Sequence, residues 1–426
     1  MLTRLQLTNF KNFKKEDLRL GPITLLIGTN AAGKSNIRDA FRFLHGVSRG
    51  YSVAEIIGEK YGDGGFLQWR GIRGGTRETT FRNAQTFRLE VSFEADGRFG
   101  KYGIEVDTGN ASIAPKVVWE RLETGHTKWA LEAMFDSHPA YDPVSSSNDP
   151  DHLPVRLKKS GTQRKYGDRV DCLNFRPALS QIADGSKTRI TAVRDAANWA
   201  LKELESIRFL DLDPEALRRP SFPGQIVLGD KGDNLSSVLQ EICTKPPLRA
   251  ALASWVEELT PMDATDFEFP SDHTGRILVT LVERDGSRVS ANSASDGTLR
   301  FLAMIAALLG PESSKVYFFE ELDNGIHPAR LHLLLNLIEQ HVKTNKVQII
   351  ATSHSPELLT LLNDQARESA SLVYRLPHSA EGHIRPIVDL PGARDLFSRD
   401  SDLAHLHATG WFEDVAYFGT DEEPEH

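Results

Sequence analysis

Four short stretches carry residues able to handle a phosphate and its metal. Gly28-Thr29-Asn30-Ala31-Ala32-Gly33-Lys34-Ser35 has the spacing G-x-x-x-x-G-K-[ST], with the apolar run Ile23-Thr24-Leu25-Leu26-Ile27 before it and a helix-like stretch, residues 37–44, after it. In that strand-loop-helix setting the glycines let successive backbone N–H groups turn around a phosphate, and the helix N-terminus adds its positive end. Lys34 then reaches the β- and γ-phosphates and Ser35 ligates Mg²⁺. Gly28, Asn30, Gly33, Lys34, Ser35 and Asn36 are the expected ATP-binding set.

Lys315-Val316-Tyr317-Phe318-Phe319-Glu320-Glu321 is an apolar run closed by two acids. Beside a P-loop, Glu320 is placed to hold Mg²⁺ through its water shell and Glu321 to orient or deprotonate the attacking water. Ser295, Asp296 and Gly297 precede a run so apolar that it must be a buried helix, residues 299–309. Ser295 there is either an anion-binding position or an ordinary N-cap. His354 follows the β-rich run Val347-Gln348-Ile349-Ile350-Ala351-Thr352 and either contacts a γ-phosphate or serves structure.

The elements that must position these residues can be read from period. Residues 2–7 alternate as a strand, followed by a bend through Asn9-Phe10-Lys11-Asn12-Phe13. The glycine-rich residues 61–75, which contain Gln68, Arg70 and Arg73, read as a loop. Alternation over residues 86–106, broken at Asp96-Gly97, predicts an antiparallel hairpin, and residues 117–131 a second one turning at Thr124-Gly125. Residues 136–165 turn polar and irregular, and helical spacing appears over residues 189–207 and 235–259, with a break at Pro246-Pro247. A strand is expected over residues 276–281, and Pro328 begins a helix after the Asn324-Gly325-Ile326-His327 turn.

The expected fold is α/β: a P-loop NTPase core with a mixed sheet, flanking helices and an antiparallel β subdomain, plus a mostly helical insertion. The expected division is residues 1–135, 136–265 and 266–426.

The 426 residues are 40% apolar and 26% charged, with no run long enough to span a bilayer and no signal-like start, so the expectation is a cytoplasmic protein without membrane contact. Cys172 and Cys243 form neither a metal pair nor a disulfide framework. A net charge of −9 argues against a generally basic surface, part of it from the acidic tail at residues 421–425. Local basic clusters remain: Arg70, Arg73, Arg77 and Arg82, and Lys158, Lys159, Arg164, Lys165 and Arg169. They make DNA a possible partner.

Taken in order, the P-loop, the Ser-Asp-Gly-Thr helix start, Phe-Phe-Glu-Glu, Asn-Gly-Ile-His-Pro and Thr-Ser-His resemble the ABC-type ATPases of the RecF and SMC group. Stand-alone AAA-type ATPases of genome-maintenance and anti-phage operons are especially similar. The opening Thr8-Asn9-Phe10-Lys11-Asn12-Phe13 shares the likeness, which covers residues 1–110 and 270–360.

The resemblance implies an Mg²⁺-dependent ATPase that sandwiches ATP between two copies of itself, as a dimer or larger oligomer. Ser295, Asp296 and Gly297 fall on the signature that completes the partner's site, His354 on the switch histidine, residues 323–327 on the loop crossing the interface, and Gln68 on the metal-contacting glutamine. Glu320 stands where an aspartate is usual, and Asp296 where a glycine is common, which sets a carboxylate near a phosphate unless it is turned away or neutralised. No Toprim-like acidic cluster is expected after His354, which implies a separately encoded effector.

Overall fold

The computed structural model describes residues 1–109, 113–138, 149–158, 167–259, 264–310, 314–355, 357–376 and 378–390. The acidic tail, Lys159, Arg164, Lys165 and most of the polar stretch at 139–148 lie outside them.

Mostly apolar and largely buried runs build a six-stranded sheet in the order Ile207–Leu210, Val316–Phe319, Gln348–Ser353, Ile23–Ile27, Ser371–Arg375, Gly382–Pro386. The first five are parallel and the last is antiparallel. Every residue of the P-loop strand and of Val316–Phe319 is buried, as a covered parallel sheet requires. The register sets Ile27 beside Ser353 and Ala351 beside Phe319, so Gly28, Glu320 and His354 leave the sheet along one carboxyl edge. That edge is where open α/β sheets bind ligands.

An eight-stranded antiparallel sheet lies alongside, running from Arg169–Leu173 through the Thr86–Ala95 and Arg98–Asp107 hairpin to Leu2–Phe10 and Phe13–Arg19. The P-loop helix, Lys34–Ser48, joins the two sheets. Phe41 meets Phe318 of the parallel sheet at 6.0 Å and Phe43 meets Phe87 of the antiparallel sheet at 5.2 Å between ring centroids. A second apolar cluster takes in helix Asp296–Leu309, in which Leu299, Leu302, Ala303 and Ile305 are fully buried.

Several elements differ from expectation. The glycine-rich loop contains a two-stranded hairpin, Glu59–Tyr61 with Leu67–Arg70. The second hairpin pairs Lys116–Gly125 with Glu132–Asp136, its return strand starting after residues 126–131. The strand expected at 276–281 begins at Thr280 and runs to Glu283. The helices Thr191–Glu205, Leu235–Cys243 and Pro246–Leu259 follow the periodicity, yet the described residues of the same region also include the strands His152–Leu157, Arg169–Leu173 and Ile207–Leu210.

His152–Leu157 and Arg169–Leu173 extend the antiparallel sheet, and Ile207–Leu210 is the edge strand of the parallel one. The first buries Leu153, Val155 and Leu157 on alternate positions, a signal masked by polar flanks. The last is only four residues long and directly follows a helix, too short for periodicity to separate from it.

Candidate nucleotide site

At the shared carboxyl edge a cavity of about 350 Å³ is lined by Thr29, Asn30, Ala31, Gly33, Lys34, Ser35 and Asn36 together with Glu320, Glu321, Thr352 and His354. Gly28 starts the loop with its backbone against the neighbouring strand. A Cβ there would lie 1.9 Å from the Val373 carbonyl oxygen, so only glycine fits.

Lys34 is buried, and Nζ donates to the carbonyls of Gly28 and, at 3.0 Å, Thr29, with His354 Nδ1 at 3.3 Å. Burial pulls its pKa down to about 8 against the opposing pull of Glu321 and Asp323. Desolvation thus leaves the ammonium poorly compensated until an anion arrives.

Glu321 sits with φ 49°, in the left-handed region, a conformation that costs a non-glycine residue roughly 1–3 kcal/mol. Its N–H donates to Thr352 Oγ1 at 2.9 Å, Asn324 Nδ2 donates to its carboxylate at 2.7 Å, and His354 Nε2 lies 3.8 Å away. The side chain therefore lines the cavity beside His354.

Glu320 is bound by the guanidinium of Arg38, from the P-loop helix, and lines the same cavity as Ser35. Burial raises its pKa and Arg38 opposes that rise. A hydroxyl and a carboxylate are hard oxygen donors of the kind Mg²⁺ takes alongside waters and substrate phosphates. Among the described residues no group of three or more His, Cys, Asp or Glu forms a metal cage. The donor set fits a cation delivered with phosphate.

Gln68 does not join the site, correcting its expected place as a metal contact. In Leu67–Arg70 the buried side chain is Trp69, which donates to the Ile56 carbonyl at 3.2 Å, and strand alternation sends Gln68 outward. Asp211, Leu212 and Arg300 line the cavity without having been singled out, and Arg73, read from the sequence as part of a basic cluster, lines it too. Arg300 had a signal, being the one charge in the apolar run 299–309.

Arg73 is tied to Asp39 at 3.2 Å, a buried carboxylate that also lies 3.7 Å from Lys11 and 3.8 Å from Arg38. With Lys11, Arg77, Arg82 and Arg375, Arg73 also borders a neighbouring basic hollow. Arg70 lines a different one with Arg38 and Arg42. In the second basic cluster Lys158 pairs with Glu132 and Arg169 with Asp171.

Ser295 caps helix Asp296–Leu309, accepting from Thr298 N at 3.2 Å, so the N-cap reading holds. Ser295 and Asp296 are exposed and lie outside their own chain's cavity lining. Gly297 packs on the turn that follows the two acids, where a Cβ would fall 1.8 Å from the Gly325 carbonyl oxygen. Cys172 and Cys243 are buried, and burial pushes their thiols up to about 12 and about 11, away from nucleophilic use. Among the described residues no helix is long and apolar enough to cross a membrane.

The model of the family described as "AAA domain, putative AbiEii toxin, Type IV TA system" matches residues 23–360. An "ATP/GTP phosphatase" of Helicobacter pylori (strain ATCC 700392 / 26695) is 22% identical over 387 residues, covering 86% of this chain and 89% of the relative. Among solved structures, the SMC head domain from Thermotoga maritima is similar at 13% identity and TM-score 0.40, covering 91% of this chain and 98% of that one. An SMC head bound to the C-terminal winged-helix domain of ScpA is similar at 14% identity and TM-score 0.46, covering 90% and 97%.

Proposed function

The chain belongs to this AAA-domain family and is a P-loop ATPase, and from that premise we propose that it closes as a dimer around Mg-ATP and opens on hydrolysis. In one protomer the P-loop amides and Lys34 hold the β- and γ-phosphates. Ser35 and Glu320 hold the cation, which when bound offsets charge on the phosphate oxygens. Glu321 orients the attacking water and accepts its proton. His354, in contact with Lys34 and near Glu321, faces the γ-phosphate and registers its loss.

The observation that carries the dimer is the placement of Ser295, Asp296 and Gly297. Ser295 and Asp296 sit exposed at a helix N-terminus, outside the lining of their own nucleotide cavity, and the half-buried Gly297 packs against Gly325. A second copy turned head to tail would bring this helix start to the γ-phosphate. Removal of that phosphate would then delete contacts bridging the subunits. Glu321→Gln should accumulate as a nucleotide-dependent dimer. Light scattering that gives one mass with and without ATP, equal to that of a monomer, overturns the reading.

The family's description speaks of a toxin–antitoxin system, which supports a second reading. In it a slow ATPase acts as a nucleotide-gated scaffold that holds and releases a separately encoded effector, in anti-phage defence or DNA maintenance. Co-purification from the native operon with and without ATP, with Lys34→Ala as control, separates the two. Contact with DNA through the Lys11, Arg73, Arg77, Arg82 and Arg375 hollow belongs to the same proposal and should weaken steeply with salt.

A further inference from the structure

The parallel pairing of Ile207–Leu210 with Val316–Phe319 sets Leu210 beside Phe319. The next residue of each strand, Asp211 and Glu320, therefore emerges side by side at the carboxyl edge. The bond from Glu320 N to the Leu210 carbonyl, 3.1 Å, holds that register to the end. Both carboxylates face one guanidinium: Arg38 Nη1 contacts Glu320 Oε2 and lies 3.9 Å from Asp211 Oδ2. Both also line the cavity that contains Ser35.

Nothing in the reaction as described uses Asp211. We infer that Asp211 is a second carboxylate of the divalent-cation site, acting with Glu320 and Ser35. This rests on the P-loop reading above and adds a residue to it.

Mg²⁺ in phosphate-transfer sites takes one or two carboxylates plus phosphate oxygens and waters, so a hydroxyl and two adjacent carboxylates are a sufficient protein share. Asp211 is 58% exposed on its side chain and free to turn toward a cation, whereas Glu320 is confined by the Arg38 contact. Both carboxylates share Arg38 with the buried Asp39, so neither has that guanidinium to itself. The shorter aspartate beside the longer glutamate also answers the question raised by Glu320 standing where an aspartate is usual.

The test is Mn²⁺ binding, read by electron paramagnetic resonance, to the full chain loaded with a non-hydrolysable ATP analogue. Asp211→Asn should weaken Mn²⁺ roughly 10–100-fold, the range for disturbing a metal site's supporting ligands. Its affinity for the analogue in EDTA should match wild type, which also shows that the variant is folded. Asp213→Asn, two residues on and outside the cavity lining, should bind Mn²⁺ as wild type does. Asp211→Asn with wild-type Mn²⁺ affinity overturns the inference. A wild-type chain that binds no analogue, or a Lys34→Ala chain that binds it equally well, overturns the nucleotide reading instead.

Discussion

Arg218 donates to Asp296 at 2.6 Å and to the Ala294 carbonyl at 3.0 Å, so the acid that opens the apolar helix is neutralised by a residue from some eighty positions earlier in the chain. Without Arg218, a bare carboxylate would face the partner's γ-phosphate in the proposed dimer. Arg218→Ala should therefore weaken ATP-dependent dimerisation, and adding Asp296→Gly should restore it. Asp296 is exposed and Arg218 half-buried, so losing the ion pair itself should change the unfolding free energy by no more than about 1 kcal/mol. Sedimentation with ATP and urea titration check the two halves.

Glu321 is held by Asn324 and Thr352 in a conformation that glutamine adopts equally well. Glu321→Gln should lose roughly 10²–10⁴-fold in phosphate release while binding ATP as tightly as wild type. A variant hydrolysing at the wild-type rate would remove Glu321 from the reaction.

Lys34 gives the nucleotide affinity a pH dependence. Its ammonium titrates at about 8 in the free protein because of burial, and a bound phosphate raises that value. Between the two values binding takes up a proton, so affinity should fall by up to about tenfold per pH unit above pH 8 and level off below it. Calorimetry at pH 8.5 in two buffers of different ionisation enthalpy should show the uptake, and Lys34→Arg should abolish it.

Asp39 should matter for stability more than for contact with substrate. It is 1% exposed, and it stands between Arg38, Lys11 and Arg73. Asp39→Ala leaves the buried Lys11 ammonium without its counter-charge, and such losses cost about 3–5 kcal/mol. Asp39→Asn keeps the shape and a hydrogen-bonding oxygen and should lose less. Guanidinium titration of both variants tests this.

Glu120 is fully buried and accepts from Tyr102, Ala178 N and Leu179 N, yet burial outweighs those bonds and raises its pKa to about 7. A carboxyl raised above its ordinary 4.5 stabilises the fold while protonated, so its contribution is full below about 4.5 and lost as pH rises through 7. Wild type should lose stability relative to Glu120→Gln between pH 5 and 8. Parallel slopes for the two proteins would show that Glu120 stays charged.

The sequence by itself determined the P-loop, the two acids closing an apolar strand, His354 and the first hairpin. Each is a local statement: glycines at fixed offsets, period-two alternation, or a short run ending in charge, written within about ten residues. Only the tertiary structure decided which residues share the cavity. Gln68 had the right type but the wrong strand phase. Asp211 follows a four-residue edge strand that no periodicity separates from its helix, and it reaches Glu320 only through parallel pairing across more than a hundred residues. Arg218 meets Asp296, and Asp39 gathers Arg38, Lys11 and Arg73, because packed elements converge there. Pairing register and ion-pair partners are fixed by long-range packing, and no local spacing encodes them.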